Sequence, residues 1–242
     1  MGLLESATFI VSPTHLPACC RLVSTGVGEL DHLLKDGYPP KSAILVVGPP
    51  GIGKEALGYW FTQAGLSQGD FCLYVTRLAV SEIIQDVKAF GAEIKGPTVW
   101  FAREGGQTKV DINDLPGLSF SIKEILKKNG EKPARIVTDV LSPLLMLNSP
   151  ETIYRFLTQL LSEMKQYNSV VLATLEDRMH QPQVLAAMEQ LFDGVLELRL
   201  YEEGLRIRPL LRILKMRGLP PLPGFYNFAF THQRMEITAY AK

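Results

Sequence analysis

The chain has 242 residues, 46% of them hydrophobic, which is enough for one substantial core. Basic and acidic residues balance at 25 each, so nothing marks a polybasic coat for nucleic acid, although a local basic patch stays open. The three cysteines and four histidines show no zinc spacing, no stretch reads as a signal peptide, and no run approaches the length of a membrane span. A reducing cytoplasm fits this cysteine usage best.

Residues 1–20 are ambiguous and are expected to form an arm or edge segment, with residues 21–242 as a single domain. Ala43-Ile44-Leu45-Val46-Val47 is a branched apolar run that suits a buried parallel strand. Gly48-Pro49-Pro50-Gly51-Ile52-Gly53-Lys54-Glu55 follows it. A phosphate-binding loop asks for two spaced glycines, then Lys, then Ser or Thr. Gly48, Gly53 and Lys54 satisfy that pattern, and Glu55 breaks its last place. Glycines let several N–H groups converge on one anion, and the following helix start adds partial positive charge. The absent hydroxyl is the one that normally helps to hold magnesium. A carboxylate there adds negative charge beside any phosphate.

Further strands are expected at 71–75, 98–101, 135–138, 169–174 and 195–200, with helices at 55–66, 81–90, 119–128, 150–167 and 183–192. In the fourth of these helices Ser149 can cap, Pro150 suits the first position, and Ile153, Phe156, Leu157, Leu160, Leu161 and Met164 share a face. Asn129-Gly130 fits a helix stop, and Cys72 reads as a small core residue. Beyond Leu210, segments 211–216 and 235–238 suggest antiparallel edge strands, separated by a Gly- and Pro-rich loop over 218–224. The alternation predicts an α/β fold, a mostly parallel twisted sheet with helices on both sides. Asp139 ends the strand Arg135-Ile136-Val137-Thr138 and is a candidate to orient magnesium. Without a ligand it would only cap the next turn.

Several ordered segments then match one family. Ser24-Thr25-Gly26-Val27-Gly28-Glu29-Leu30-Asp31, Gly69-Asp70 through Thr76, Asp139-Val140-Leu141-Ser142, Phe192-Asp193-Gly194 and Leu214-Lys215-Met216-Arg217-Gly218 together resemble the KaiC-like branch of the RecA superfamily of ATPases. The resemblance runs from about Arg21 to the end of the chain. It implies a RecA-like core, ATP or ADP as ligand with magnesium, and assembly into a homo-oligomeric ring or filament or with a protein partner. It assigns phosphate contacts to residues 48–54, metal orientation to Asp139, and to Lys215 and Arg217 a reach into a neighbouring subunit's nucleotide. Without the family, Lys215 and Arg217 read equally as an ordinary solvated strand edge.

The sequence departs from that family twice. After Tyr74-Val75-Thr76 the family carries one arbitrary residue and then a glutamate pair, one of which activates water. Leu78 and Ala79 stand in those places. Loss of a positioned general base costs ~10²–10⁴ in rate. Glu55 is the second departure. Glu55 and Glu82 are the substitute bases to weigh, and Arg77 introduces a cation that could pair with Glu55 or with phosphate. The leading expectation is a nucleotide-binding switch with weak or no hydrolysis. The alternatives are an active ATPase with an atypical base, a scaffold without nucleotide, and a recombinase-like DNA binder, the last resting on superfamily analogy alone.

Overall fold

The computed structural model describes residues 21–102, 105–109, 111–130, 132–231 and 234–240. The expected arm over residues 1–20 therefore lies outside the described residues, as do Cys19, Cys20, His15 and His232.

Ten strands form one sheet: β1 (Ala43–Gly48), β2 (Phe71–Val75), β3 (Thr98–Ala102), β4 (Thr108–Lys109), β5 (Ala134–Thr138), β6 (Ser169–Glu176), β7 (Gly194–Glu203), β8 (Arg206–Met216), β9 (Tyr226–Phe230) and β10 (Met235–Ala239). Their order is β10-β9-β8-β7-β1-β6-β5-β2-β3-β4. Strands β1 to β7 pair in parallel, and β7 to β10 form an antiparallel meander at one side. Every residue of β1 is buried, as a central strand covered on both faces requires.

The helices are α1 (Gly28–Leu33), α2 (Lys54–Gln68), α3 (Val80–Ala89), α4 (Leu115–Asn129), α5 (Leu141–Leu147), α6 (Pro150–Gln166) and α7 (Pro182–Leu191). Side chains of α1, α2 and α3 pack on one face of the sheet, with Leu57, Phe61, Ile83 and Val87 in that core. The other face is covered by α4 to α7, through Leu118, Ile122, Leu144, Leu157, Leu161 and Met188. No helix among the described residues is long and apolar enough to cross a membrane.

Local chemistry explains the element ends. Ser149 accepts the Thr152 N–H and caps α6, with Pro150 at its first position. Asp114 caps α4 by accepting the Gly117 N–H, which starts that helix four residues before the expected Ser119. Asn129 is the last residue of α4, and Gly130 follows at φ 70°.

The Ser24–Asp31 segment, one carrier of the family resemblance, is a folding device. Asp31 accepts the Ser24 hydroxyl and the Thr25 N–H, both at 2.6 Å. Gly26 has φ +85°, and a Cβ there would meet the Trp60 carbonyl oxygen at 2.2 Å. Only glycine lets this turn lie against α2. Arg135, fully buried on β5, anchors the same corner: its guanidinium donates to Asp70, to the Ser24 and Phe61 carbonyls and to Gln68.

Candidate functional site

Four strand ends meet beside the glycine loop. β1, β6, β5 and β2 are consecutive neighbours in the sheet, and all four run parallel. Their C-terminal ends carry Gly48, Glu176, Asp139 and Thr76 respectively. Gly48 lies opposite Glu176, and Val75 lies opposite Thr138, so the loop, the acids and the hydroxyl share one edge of the sheet. In open α/β sheets that edge is where ligands bind.

The loop 48–53 turns from β1 into α2. Gly53 is the N-cap of α2 and sits at φ +87°, in the left-handed region. A Cβ at Gly53 would overlap the Phe230 ring at 2.4 Å. Phe230 in turn stands edge-on to Phe90, with ring centroids 5.1 Å apart, and stacks on Trp60 at 5.9 Å. The loop thus has an aromatic wall on one side.

The backbone of the loop suits an anion. Among the described residues the N–H groups of Gly51, Gly53, Lys54 and Glu55 find no acceptor, whereas Ile52 donates back to Pro49 and Ala56 to Gly53. Four unspent donors at and just before the start of a helix of 15 residues are the kind of groups on which phosphate binds. A nucleotide's phosphates fit these groups.

The side chains of the loop are spent on one another. Lys54 is 1% exposed. Its Nζ lies 2.6 Å from Glu176 Oε1 and 3.0 Å from Glu55 Oε1. Glu55 therefore turns to Lys54 and not to Arg77, whose side chain is exposed. The Glu176 N–H is itself held by the Ser142 hydroxyl at 2.8 Å, which fixes the strand end that presents the carboxylate.

Asp139 accepts the Thr76 hydroxyl at 2.7 Å. Burial pushes its carboxyl up to about 6, against the opposing effect of hydrogen bonds from Thr76 and from the backbone N–H groups of Arg77 and Asp139; the nearby Glu55 charge adds to the rise. Magnesium fits these residues poorly. The usual hydroxyl is replaced by a carboxylate committed to Lys54. Among the described residues no group of three or more His, Cys, Asp or Glu side chains could hold a metal ion. Asp139 alone would serve a metal brought in with the phosphates.

The places of the expected glutamate pair carry no base. Leu78 is 36% exposed, and Ala79 is the buried N-cap of α3. Glu82 accepts the Ala79 N–H at 2.6 Å, which ties it to the start of α3.

Lys215 and Arg217 lie at the other end of the sheet. Lys215 sits opposite Val195 near the start of β7 and approaches the Gln190 carbonyl at 3.4 Å. Arg217 donates to Asp193 at 2.8 Å and to the Pro40 and Lys41 carbonyls at 3.2 Å. Asp193 also accepts the Ala43 N–H at the head of β1. The length of β1, on the order of 15–20 Å, therefore separates Arg217 from the loop of the same chain.

Sequence reasoning missed Glu176, Phe90 and Phe230. The signal for Glu176 is an apolar strand ending in an acid, the same signal that singles out Asp139. Phe230 carries no such signal, because its place depends on the meander folding back over α2.

The sheet order, the glycine loop and the strand-end acids define a P-loop protein with a RecA-like core. A family model described as "ATPase: KaiC" matches residues 23–242, and the chain belongs to that family. The circadian clock protein KaiC3 of Synechocystis sp. (strain ATCC 27184 / PCC 6803 / Kazusa) is 25% identical over 224 residues, spanning 89% of this chain and 43% of the relative. The circadian clock oscillator protein KaiC 1 of the same organism is 28% identical, spanning 90% of this chain and 43% of the relative. UPF0273 protein MK0039 of Methanopyrus kandleri is 26% identical over 230 residues, spanning 89% of this chain and 91% of the relative. The chain thus spans less than half the length of these clock relatives and matches most of the Methanopyrus protein.

Proposed function

We propose that this chain is a nucleotide-binding member of its family whose own residues no longer support efficient hydrolysis, and that adenine nucleotide serves it as a structural ligand or switch. Residues 21–242 act in this reading as one ATPase-type domain. The observation that carries the reading is a contrast at one edge of the sheet: the backbone donors of Gly51, Gly53, Lys54 and Glu55 are unspent, while no carboxylate stands at Leu78 or Ala79 beyond β2. Backbone amides select for phosphate whatever the side chains do. Hydrolysis needs a base within reach of a water beyond the outer phosphate. Glu82 is held at the α3 start and Glu55 at Lys54, so neither is placed for that role.

Binding would act through stability and assembly. A ligand that binds only the folded chain stabilises it by about 2.7 kcal/mol at a hundredfold excess over Kd. Lys215 and Arg217, remote from the loop of their own subunit, suit contact with the nucleotide of a neighbouring copy. We infer a ring or filament in which nucleotide bridges subunits.

The test is thermal unfolding and phosphate release on the purified chain with ADP and ATP. The expected outcome is a nucleotide-dependent rise in Tm with phosphate release no faster than that of Lys54→Ala. A Tm unmoved by either nucleotide favours the scaffold reading. Turnover at ordinary ATPase rates, abolished in Asp139→Ala, favours the active enzyme.

A further inference from the structure

We infer that the loop is selective for a nucleoside diphosphate over the triphosphate, with Glu55 and Glu176 as the residues that set the preference. The inference rests on the proposal above that the loop takes a nucleotide, and it names which one.

A lysine ammonium has three donors. Two of those on Lys54 face carboxylates, Glu176 Oε1 at 2.6 Å and Glu55 Oε1 at 3.0 Å. One remains, enough for a single phosphate oxygen. In a P-loop the backbone cradles the inner phosphates, and the lysine reaches on to the outer ones. The inner set of contacts is intact here, as the unspent N–H groups show. The outer set is where this chain differs.

The position of Glu176 sharpens the point. It projects from the end of β6, which lies between β1 and β5. It therefore stands between the glycine loop and Asp139, the space that the terminal phosphate of a triphosphate and its metal share in such sites. Ser142 braces the backbone behind it. Its second oxygen, Oε2, is buried and has no hydrogen-bond partner among the described residues. A terminal phosphate entering there would meet two carboxylates and would have to pull Lys54 away from both. The freed acids would then face the added negative charge, and like charges held this close repel. The hydroxyl that would normally bring magnesium to offset that charge is the one replaced by Glu55. A diphosphate avoids the conflict. It lies on the loop amides, takes the third donor of Lys54 and leaves the Glu176 pair in place.

The experiment is calorimetric titration of the full chain with ADP and with ATP, each with and without magnesium, repeated on Glu55→Thr and Glu176→Gln. ADP is expected to bind at least ~10-fold more tightly than ATP, a difference well within calorimetric range. Each variant is expected to move the ratio toward ATP, and Glu55→Thr to gain most when magnesium is present. Equal or tighter binding of ATP by the unaltered chain overturns the inference while leaving nucleotide binding intact. So does a ratio that neither variant moves. Binding of neither nucleotide overturns both the inference and the proposal beneath it. Glu55→Thr keeps the Glu176 partner of Lys54, so it remains informative if Glu176→Gln folds poorly.

Discussion

Asp139 shows how one side chain carries a cost that its surroundings only partly offset. Its carboxyl titrates near 6 against an ordinary value of 3.8, with burial as the main cause. An acid whose folded value is raised is less willing to ionise in the fold than in the unfolded chain. The penalty is absent below pH ~4, grows between ~4 and ~6, and stays constant above that. Asp139→Asn keeps an acceptor for the Thr76 hydroxyl and removes the charge. It should stabilise the protein by about 1–3 kcal/mol at pH 7.5, with the gain fading as the pH approaches 4. Urea unfolding of both proteins across that range checks the expectation, and a gain that does not change with pH would contradict the assigned cause. Lys54, Glu55 and Asp139 were visible in the sequence because each follows a short apolar strand within a known spacing. The pairing of Lys54 with Glu176 was not, since no local pattern joins residues 122 positions apart.

Among the elements, those with a clear period or cap were legible. α6 is the best case, with a capping serine, an early proline and a continuous apolar face. Ser149→Ala should cost ~1 kcal/mol, read as a lower urea midpoint with an unchanged slope. A loss below a few tenths would show that Pro150 and the buried face alone fix that end. Shorter or more uniform segments were not legible. α5 (Leu141–Leu147) is apolar almost throughout and contains Pro143, so neither period nor propensity marks it as a helix. α1 spans six residues, too few for a periodic signal. β9 is a run of aromatics beside a Pro-rich loop, and it exists only because β8 and β10 flank it. The β7–β8 hairpin reaches further than the sequence suggested, to a turn at Gly204, because Leu205 and Ile207 are exposed and give no buried alternation.

For the molecule as a whole, the distance between the loop and the Lys215–Arg217 corner decides how the protein can work. A single chain has its glycine loop at one end of the sheet and these cations at the other, with Arg217 held by Asp193. The proposed assembly predicts that nucleotide raises the sedimentation coefficient of the unaltered chain. Arg217→Ala should abolish that rise while nucleotide still raises Tm. An unaltered chain that sediments identically with and without nucleotide would remove assembly from the proposal. The overall α/β architecture was foreseeable from the alternation of strands and helices, but the strand order was not, because it is set by which crossovers bring β6 beside β1.

That neighbouring of β6 and β1 has a consequence for synthesis. The lysine leaves the ribosome 122 residues before the acid that will hold it. Until Glu176 arrives, the ammonium of Lys54 has only Glu55 for company. A chain truncated before that point would keep the signature loop in its sequence yet lack half of the clasp that gives the loop its character here.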